Sequence, residues 1–488
     1  MVIESLKYKI LQQFGFAPTQ EQGQALDTFV SFLTDRDPQA VMILRGSAGT
    51  GKTSLSGAIV RTLLQIRQKV MLLAPMGRAA KVFSLGSGAP AYTIHRRIYR
   101  EKAFAGVDGQ FSLNDNLYTD TLFMVDEASM IANMGLGGTT FGSGCLLDDL
   151  VKFVYQGHND RLLLIGDKAQ LPPVGEEESP ALSASVMEGY GLKVYECDLN
   201  EVLRQSQSSG ILYNATLIRQ MITHDAVTGL PLIRFKGFAD IVMMPGAELV
   251  ESLGDSYHHV GMDETMVITR SNKRANIYNN GIRNMVLDRE EELSSGDMLM
   301  IVKNNYFWTE KEKKESGEGS AGAVPAFLAN GDRAKVLRVS NYIELYGFRF
   351  ATLLLQLPDY DDYEMQVTGM LDTLQSEAPA LTHEQQEELF RQVEEDYQHF
   401  VPLKADRMKS IRQDAYFNAL QIKYAYAVTC HKAQGGQWAH VYVDQGYMTD
   451  DMLTPDYIHW LYTAFTRATD KLFLVNWPKE QTCEPTDL

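Results

Sequence analysis

The chain has 488 residues, of which 45% are hydrophobic and 22% charged, and its formal net charge at pH 7 is −17. This length and ordinary globular composition predict about three or four domains and argue against a disordered, collagenous or coiled-coil chain. No apolar run approaches the roughly 18 residues of a membrane span, and the first residues lack the apolar core of a secretory signal.

The cysteines and the charge narrow the class of protein further. The four cysteines are scattered and form no CxxC pair, which argues against a disulfide framework or zinc site and favours a reducing cytoplasm. Global acidity opposes non-specific binding of nucleic acid. Any nucleic-acid site is therefore expected in a confined, locally basic groove.

Residues 1–200 alternate short apolar runs with helical stretches. Strands are predicted at 41–45, 69–74, 122–125 and 161–165, and a helix at 53–65. Continuous apolar runs of this kind are typical of a parallel sheet covered on both faces, so we expect a layered α/β domain.

Residues 96–120 are too polar for a strand of that sheet. We expect them to form a small hairpin outside it, with Asp108–Gly109 as the turn.

A second region of the layered type begins near Glu196. Its strands are predicted at 266–269, 441–444 and 472–475. The sequence therefore predicts a second α/β domain.

The second domain is interrupted by segments of a different character. Residues 300–360 are rich in predicted strands, and the polar, Gly-rich segment Glu310–Gly322 within them is predicted as a mobile loop. Residues 382–413 predict a charged helix. We expect a mostly β insertion with a helical end.

A nucleotide-binding motif follows the first predicted strand. Residues 46–53, GSAGTGKT, fit G-x-x-x-x-G-K-[ST] between a strand and a helix, which is the context that a phosphate-binding loop requires. Lys52 is expected to reach the β- and γ-phosphates, and the hydroxyl of Thr53 to bind Mg²⁺. The alternative is a chance match. The residues predicted to contact the nucleotide here are Gly46, Ser47, Ala48, Gly49, Thr50, Gly51, Lys52 and Thr53.

Polar residues end the two strands that follow. Asp126 and Glu127 come after the strand 122–125, at the edge of a parallel sheet where ligands bind. Asp126 is predicted to hold Mg²⁺, and Glu127 to orient and deprotonate the attacking water. Gln170, after the strand 161–165, is a candidate sensor of the γ-phosphate. The alternative for Asp126 and Glu127 is a solvated acidic pair, and the alternative for Gln170 is an ordinary polar loop.

These motifs, in this order, resemble those of superfamily 1 helicases over most of the chain. The resemblance is closest to the branch that contains RecD, Pif1 and the phage T4 Dda helicase. It implies an α/β protein with two RecA-like P-loop domains, a small hairpin insertion and an SH3-like β insertion. The implied division is 1–95 and 121–195 for the first domain, 96–120 for the hairpin, 196–299 and 420–488 for the second domain, and 300–419 for the insertion with its helical extension.

The resemblance also assigns roles at the nucleotide. Gln22 of the segment PTQEQ would read the adenine edge, and Gly435 of VTCHKAQG would join the nucleotide-binding residues. Arg204 of LNEVLR and Arg467 of YTAFTR would be two arginine fingers from the second domain, acting with Lys52, Glu127 and Gln170 in catalysis. The alternative for both arginines is a surface salt bridge.

The nucleic-acid strand would be held by three further segments. The resemblance implies contacts from Pro75, from Thr93 and His95, and from Thr429 and His431, whose hydroxyl and imidazole donors suit phosphate oxygens. The alternative for each histidine is a structural, capping role.

The resemblance implies an ATP- and Mg²⁺-dependent DNA helicase that moves on single-stranded DNA, 5′→3′, and opens duplex junctions in replication, recombination or repair. It also implies a monomer. Two alternatives remain at this point, an RNA helicase of the same superfamily and an ATP-dependent switch or scaffold without motor activity.

Overall fold

The computed structural model describes residues 2–104, 109–134, 142–201, 208–223, 229–316, 324–325, 327–449 and 452–483. The strands of the first part are β1 (Ala40–Gly46), β2 (Lys69–Ala74), β3 (Ala91–Thr93), β4 (Tyr99–Phe104), β5 (Gly109–Leu113), β6 (Thr121–Val125), β7 (Arg161–Gly166) and β8 (Lys193–Leu199). Its helices are α1 (Val2–Phe14), α2 (Gln20–Leu33), α3 (Lys52–Gln65), α4 (Gly77–Ser87), α5 (Ile94–Ile98), α6 (Leu146–Gln156) and α7 (Ala184–Gly189).

The first sheet is parallel and has the strand order β3-β2-β6-β7-β1-β8. Its central strands β1, β6 and β7 are buried along their whole length, as their continuous apolar runs predict. One core packs helices such as α2 and α3 on one face, and a second core packs α6 on the other. Because β6, β7 and β1 are neighbours, the residues that follow them meet at one edge of the sheet.

The predicted hairpin is present as the antiparallel pair β4 and β5. Residues 105–108 lie outside the described residues, so the predicted Asp108–Gly109 turn is not described. Phe111 of β5 contacts the ring of Tyr306 with centroids 5.3 Å apart, which brings the hairpin against the insertion.

The strands of the second part are β9 (Ile241–Met244), β10 (Thr265–Thr269), β11 (Met298–Ile301), β12 (Arg333–Leu345), β13 (Phe348–Leu357), β14 (Tyr363–Met370), β15 (Leu420–Tyr424), β16 (Ala427–Thr429), β17 (Trp438–Asp444) and β18 (Ala468–Val475). Its helices are α8 (Gly210–Thr223), α9 (Leu249–His259), α10 (Asn272–Gly281), α11 (Phe307–Ser316), α12 (His383–Phe400), α13 (Lys404–Arg412), α14 (Cys430–Ala433) and α15 (Pro455–Phe465).

The second part contains a parallel sheet of order β16-β10-β17-β18-β9 and a closed barrel, β11-β12-β13-β14-β15. The fold class is therefore confirmed, since two layered α/β units carry a hairpin and a small β barrel. The barrel begins at Met298 and closes where β15 pairs with β11, so its last strand lies beyond the predicted insertion 300–419. The division into domains stays a prediction.

Two predicted elements differ from the structure. Glu310–Ser316, predicted as part of a mobile loop, belongs to α11, whose Trp308 is buried and donates from Nε1 to the carbonyl of Asn418 at 2.9 Å. The rest of that predicted loop, 317–322, lies outside the described residues. The predicted helix 382–413 is two helices, α12 and α13, because Pro402 lies between them and cannot continue a helix.

Among the described residues, no helix is long and apolar enough to cross a membrane.

Candidate nucleotide and nucleic-acid sites

The phosphate-binding loop joins the end of β1 to the start of α3. Gly49 and Gly51 both have φ of +77°, a left-handed conformation that side chains with a Cβ rarely adopt. The hydroxyl of Thr50 donates to the carbonyl of Ser47 at 2.8 Å, and the Lys52 ammonium lies 3.3 Å from the carbonyl of Gly46. The loop is thus a preformed turn at a helix N-terminus, which suits the phosphates of a nucleotide.

Gln22 is hydrogen-bonded to this loop. Its amide nitrogen donates to the carbonyl of Thr50 at 2.9 Å, and its amide oxygen accepts from the backbone of Thr19 in the capping box of α2. The side chain is 1% exposed. In this conformation Gln22 therefore fixes the loop, and its contact with the adenine stays a prediction.

Two adjacent carboxylates follow β6 beside the loop. Burial, and then the charge of Glu127, raise the pKa of Asp126. Glu127 has φ of +52°, and its Oε2 atom is buried without a hydrogen-bond partner among the described residues. A buried carboxylate without a partner is costly, and a divalent cation with its water would relieve that cost.

This arrangement fits the predicted Mg²⁺ site. Thr53 is exposed at the start of α3, and Asp126 ends β6. Among the described residues no group of three or more His, Cys, Asp or Glu residues could hold a metal by itself. Mg²⁺ commonly takes only one or two protein oxygens and completes its shell with phosphate and water, so a hydroxyl and a carboxylate suffice.

Gln170 and Asp167 follow β7 at the same edge of the sheet. The Oε1 atom of Gln170 is buried and has no hydrogen-bond partner among the described residues. The carboxylate of Asp167 accepts from the hydroxyl of Tyr462 at 2.7 Å. Gln170 is therefore poised for a polar ligand, and Asp167 is held by the second α/β domain.

Several side chains of the second domain reach this edge of the first. The hydroxyl of Tyr462 accepts from the backbone N–H of Ala48 in the phosphate loop at 3.0 Å. The guanidinium of Arg219, on α8, donates to the hydroxyl of Ser47 in the same loop. The hydroxyl of Thr463 accepts from the backbone N–H of Leu171 at 2.7 Å.

Sequence reasoning missed Tyr462 and Arg219 as functional candidates. Tyr462 lies in the segment YTAFTR, which ends at Arg467, and its hydroxyl is the signal that could identify it from the sequence. Arg219 carries no such signal, because its contact joins residues that are 172 positions apart.

The structure describes one of the two predicted arginine fingers. Arg204 lies outside the described residues. Arg467 is buried, and its guanidinium donates to the carbonyls of Thr463 and Gly436 and to the hydroxyl of Thr466, each at 3.1 Å. In this conformation Arg467 is bonded within its own domain, and its contact with a phosphate stays a prediction.

Segments next to predicted strand contacts of the two domains meet at α4. Pro75 lies between β2 and α4, and Thr429 ends β16 just before α14, which carries His431. Gly435, a predicted nucleotide contact, packs closely against α4. A Cβ on Gly435 would lie 3.0 Å from the Cβ of Ala79 in that helix. Arg78 of α4 donates to the carbonyl of Gln437 at 2.8 Å and lies 4.4 Å above the ring of Trp438.

Thr93 and His95 lie at the start of α5. The hydroxyl of Thr93 accepts from the backbone N–H of Arg96 and caps the helix. Burial lowers the pKa of His95 to about 4, so its imidazole is neutral at physiological pH. His95 lines a cleft between the first domain and the barrel, and its contact with a strand stays a prediction.

Comparison with known proteins agrees with this architecture. A family model described as an AAA domain matches residues 17–229, and one described as a UvrD-like helicase C-terminal domain matches residues 424–475. A 168-residue segment is 33% identical to an uncharacterized protein of Methanocaldococcus jannaschii, and covers 32% of this chain and 13% of that protein. A 157-residue segment is 29% identical to the ATP-dependent RecD2 DNA helicase of Deinococcus radiodurans, and covers 32% of this chain and 18% of that protein.

A solved structure is similar over a longer range. The crystal structure of Pif1 helicase from Bacteroides, in complex with ADP-AlF3 and single-stranded DNA, aligns with 96% of this chain and 95% of its own, at 13% identity and a TM-score of 0.47. The aligned segments thus cover less than a fifth of these two relatives, whereas the structural alignment covers nearly all of this neighbour.

Proposed function

We propose that this chain, which belongs to the RecD- and Pif1-like branch of the superfamily 1 helicases, is an ATP-dependent DNA helicase. It acts as a monomer that moves along single-stranded DNA, 5′→3′, and opens duplex junctions in replication, recombination or repair. The observation that carries the proposal is that Tyr462 of the second α/β domain bonds to the phosphate loop of the first. A nucleotide in that loop therefore lies where it can change how the two domains meet.

The first domain supplies the groups for ATP hydrolysis. The loop N–H groups and Lys52 bind the phosphates, while Thr53 and Asp126 would hold Mg²⁺, which would neutralise charge on the phosphate oxygens. Glu127, whose Oε2 atom is buried without a partner among the described residues, orients the water and accepts its proton. Gln170 contacts the γ-phosphate.

The second domain supplies the cations. Arg204 and Arg467 are the proposed arginine fingers, and Arg467 must leave its bonds to Thr463 and Gly436 to act as one. A positive charge from another domain stabilises phosphoryl transfer only when the two α/β domains are close together, so chemistry and domain motion are coupled.

The same motion acts on the strand. The first domain carries the proposed strand contacts Pro75, Thr93 and His95, and the second carries Thr429 and His431. When the two α/β domains approach and separate, these two sets of contacts move relative to each other. The contact of Arg78 with Gln437 and Trp438 supports this, because it joins α4, which follows Pro75, to the segment that follows α14.

Strand displacement from short duplexes tests the proposal. We expect ATP-dependent displacement from a duplex with a 5′ single-stranded tail and little from one with a 3′ tail. Lys52→Ala should abolish it. Displacement only from RNA duplexes would replace the DNA assignment, and no displacement from any tailed duplex would contradict the helicase assignment.

A further inference from the structure

The first turn of α2 contacts the chain where it leaves the first sheet at the end of β8. Glu21 is the second residue of α2, and its Oε2 atom accepts hydrogen bonds from two consecutive backbone N–H groups. The backbone nitrogen of Asn200 lies 2.5 Å from that oxygen, and the backbone nitrogen of Glu201 lies 2.7 Å from it. Hydrogen bonds to an ionised group are shorter and stronger than those to a neutral one. We define Asn200 and Glu201 as the exit segment.

The exit segment begins directly beside the phosphate loop. In the parallel pairing of β1 with β8, Leu199 lies opposite Gly46, the first residue of the loop. The carbonyl of Leu199 accepts from the backbone N–H of Ser47 at 3.2 Å. A displacement of the exit segment would therefore be felt at the residues that surround the nucleotide phosphates.

The second α/β domain contacts the exit segment as well. Arg219 of α8 donates to the hydroxyl of Ser47, and its Nη2 atom lies 3.4 Å from the carbonyl oxygen of Asn200. Glu21 thus bonds to the N–H of Asn200, and Arg219 to the carbonyl of the same residue. Because Arg219 joins Asn200 to the loop, the position of Asn200 helps to set where this cation lies.

Neighbouring residues of α2 reach the loop and the exit segment. Gln22 donates to the carbonyl of Thr50 in the phosphate loop at 2.9 Å, whereas Glu21 bonds to the exit segment. The helix start is fixed by the capping box between Thr19 and Gln22, and Phe29 anchors α2 in the core. One helical turn held in this way keeps the loop and the exit segment at a fixed distance.

The bonds of Glu21 set a position and add little to stability. Asn200 and Glu201 are exposed, so water can satisfy their N–H groups when the carboxylate is removed. A carboxylate in the first turn of α2 has another role open to it, because negative charge favours a helix N-terminus. That role depends on charge, whereas the bonds to the exit segment also depend on the length of the side chain, so variants can separate the two.

We infer that Glu21 is a positioning residue for ATP hydrolysis, which holds the exit segment in place so that Arg219 of the second domain is aligned with the nucleotide phosphates. The inference rests on the proposed function for the reaction itself. It goes beyond it by assigning a role to a residue outside the proposed nucleotide and strand contacts.

The test is steady-state ATP hydrolysis by the full chain with single-stranded DNA present. Glu21→Ala removes the carboxylate, Glu21→Asp keeps the charge on a side chain one methylene shorter, and Glu21→Gln keeps the length and an acceptor oxygen. We expect kcat to fall about tenfold in Glu21→Ala and nearly as far in Glu21→Asp, because a small misplacement of a group at the reacting centre is costly. Glu21→Gln should lose less. The control is Asp27→Ala on the same helix, whose carboxylate bonds to Lys7 at the surface, and it should match the wild type.

A double-mutant cycle tests whether Glu21 acts through Arg219. In an Arg219→Gln background, Glu21→Ala should lower kcat by no more than about twofold, because the effects of residues that act through one another are not additive. A residue that only supports the fold would instead cause the same loss in both backgrounds.

The outcomes separate this inference from the proposed function. It is overturned by equal kcat values for Glu21→Ala and Asp27→Ala, or by a full loss from Glu21→Ala in the Arg219→Gln background. An active Glu21→Asp beside an impaired Glu21→Gln would overturn it too, and would assign Glu21 to the charge of the helix N-terminus. Each of these results leaves the helicase assignment intact. A wild-type protein whose ATP hydrolysis no single strand stimulates would contradict the proposed function itself.

Discussion

The hydroxyl of Tyr462 lies 3.0 Å from the backbone nitrogen of Ala48, so one side chain of the second α/β domain is bonded to the phosphate loop of the first. The same hydroxyl donates to Asp167 at 2.7 Å. Burial and the carboxylate of Asp167 raise the pKa of Tyr462 well above its usual range, so the hydroxyl keeps its proton. This contact ties the position of the second domain to the place where phosphates would bind.

Replacing Tyr462 by Phe should impair hydrolysis more than strand binding. The variant loses a hydrogen bond to a charged group, of a kind that contributes about 1.5–3 kcal/mol, and we expect kcat for ATP to fall about tenfold or more. Binding of single-stranded DNA without nucleotide should change little. The matched control is Tyr457→Phe, on the same helix, since the hydroxyl of Tyr457 donates to Gln445 of the second part of the chain and not to the loop. Equal kcat values for the two variants would contradict the coupling role.

Arg219 should contribute to nucleotide binding or turnover. Its guanidinium contacts Ser47 of the phosphate loop, and a cation at this position stabilises phosphate charge. We expect Arg219→Gln to lower kcat/KM for ATP at least about tenfold. Arg219→Lys, which keeps the charge but loses the planar fork, should recover part of the activity. Wild-type kinetics in Arg219→Gln would show that the contact with Ser47 is only structural.

Asp332 should make the stability depend on pH. It is fully buried just before β12, where burial raises its pKa to about 7, and among the described residues its carboxylate accepts hydrogen bonds from the Tyr360 hydroxyl and the backbone of Ala329. A carboxyl whose folded pKa exceeds its unfolded value favours the folded state below the unfolded value, and this stability is lost as pH rises through the folded value. The loss therefore develops between about pH 4 and pH 7.

The variant Asp332→Asn removes that titration. We expect its Tm to exceed the wild-type Tm by a few degrees at about pH 8, and the gain to shrink as pH falls toward about 5. Thermal unfolding across this pH range measures it. A constant difference between the two proteins at every pH would be inconsistent with a buried, titrating carboxyl.

The sequence was sufficient for elements whose signals are local. Continuous apolar runs predicted β1, β6 and β7, because a strand covered on both faces of a parallel sheet needs them. The glycine pattern predicted the phosphate loop, because Gly49 and Gly51 require left-handed backbone.

Features that depend on distant parts of the chain were not predictable in this way. α11 is anchored by Trp308, whose partner Asn418 lies 110 positions away, whereas its own residues are polar enough for a loop. The contacts of Tyr462 and Arg219 with the phosphate loop arise only when the two domains meet.

The most direct test of the account is steady-state ATP hydrolysis by the purified protein, with and without single-stranded DNA, and with Glu127→Gln as the control. Glu127 is the proposed base for the attacking water, and an amide cannot accept the proton. We predict strong stimulation by single-stranded DNA in the wild type and loss of turnover in the variant. Basal turnover that DNA leaves unchanged would contradict the DNA-dependent motor and favour an RNA helicase or an ATP-dependent switch.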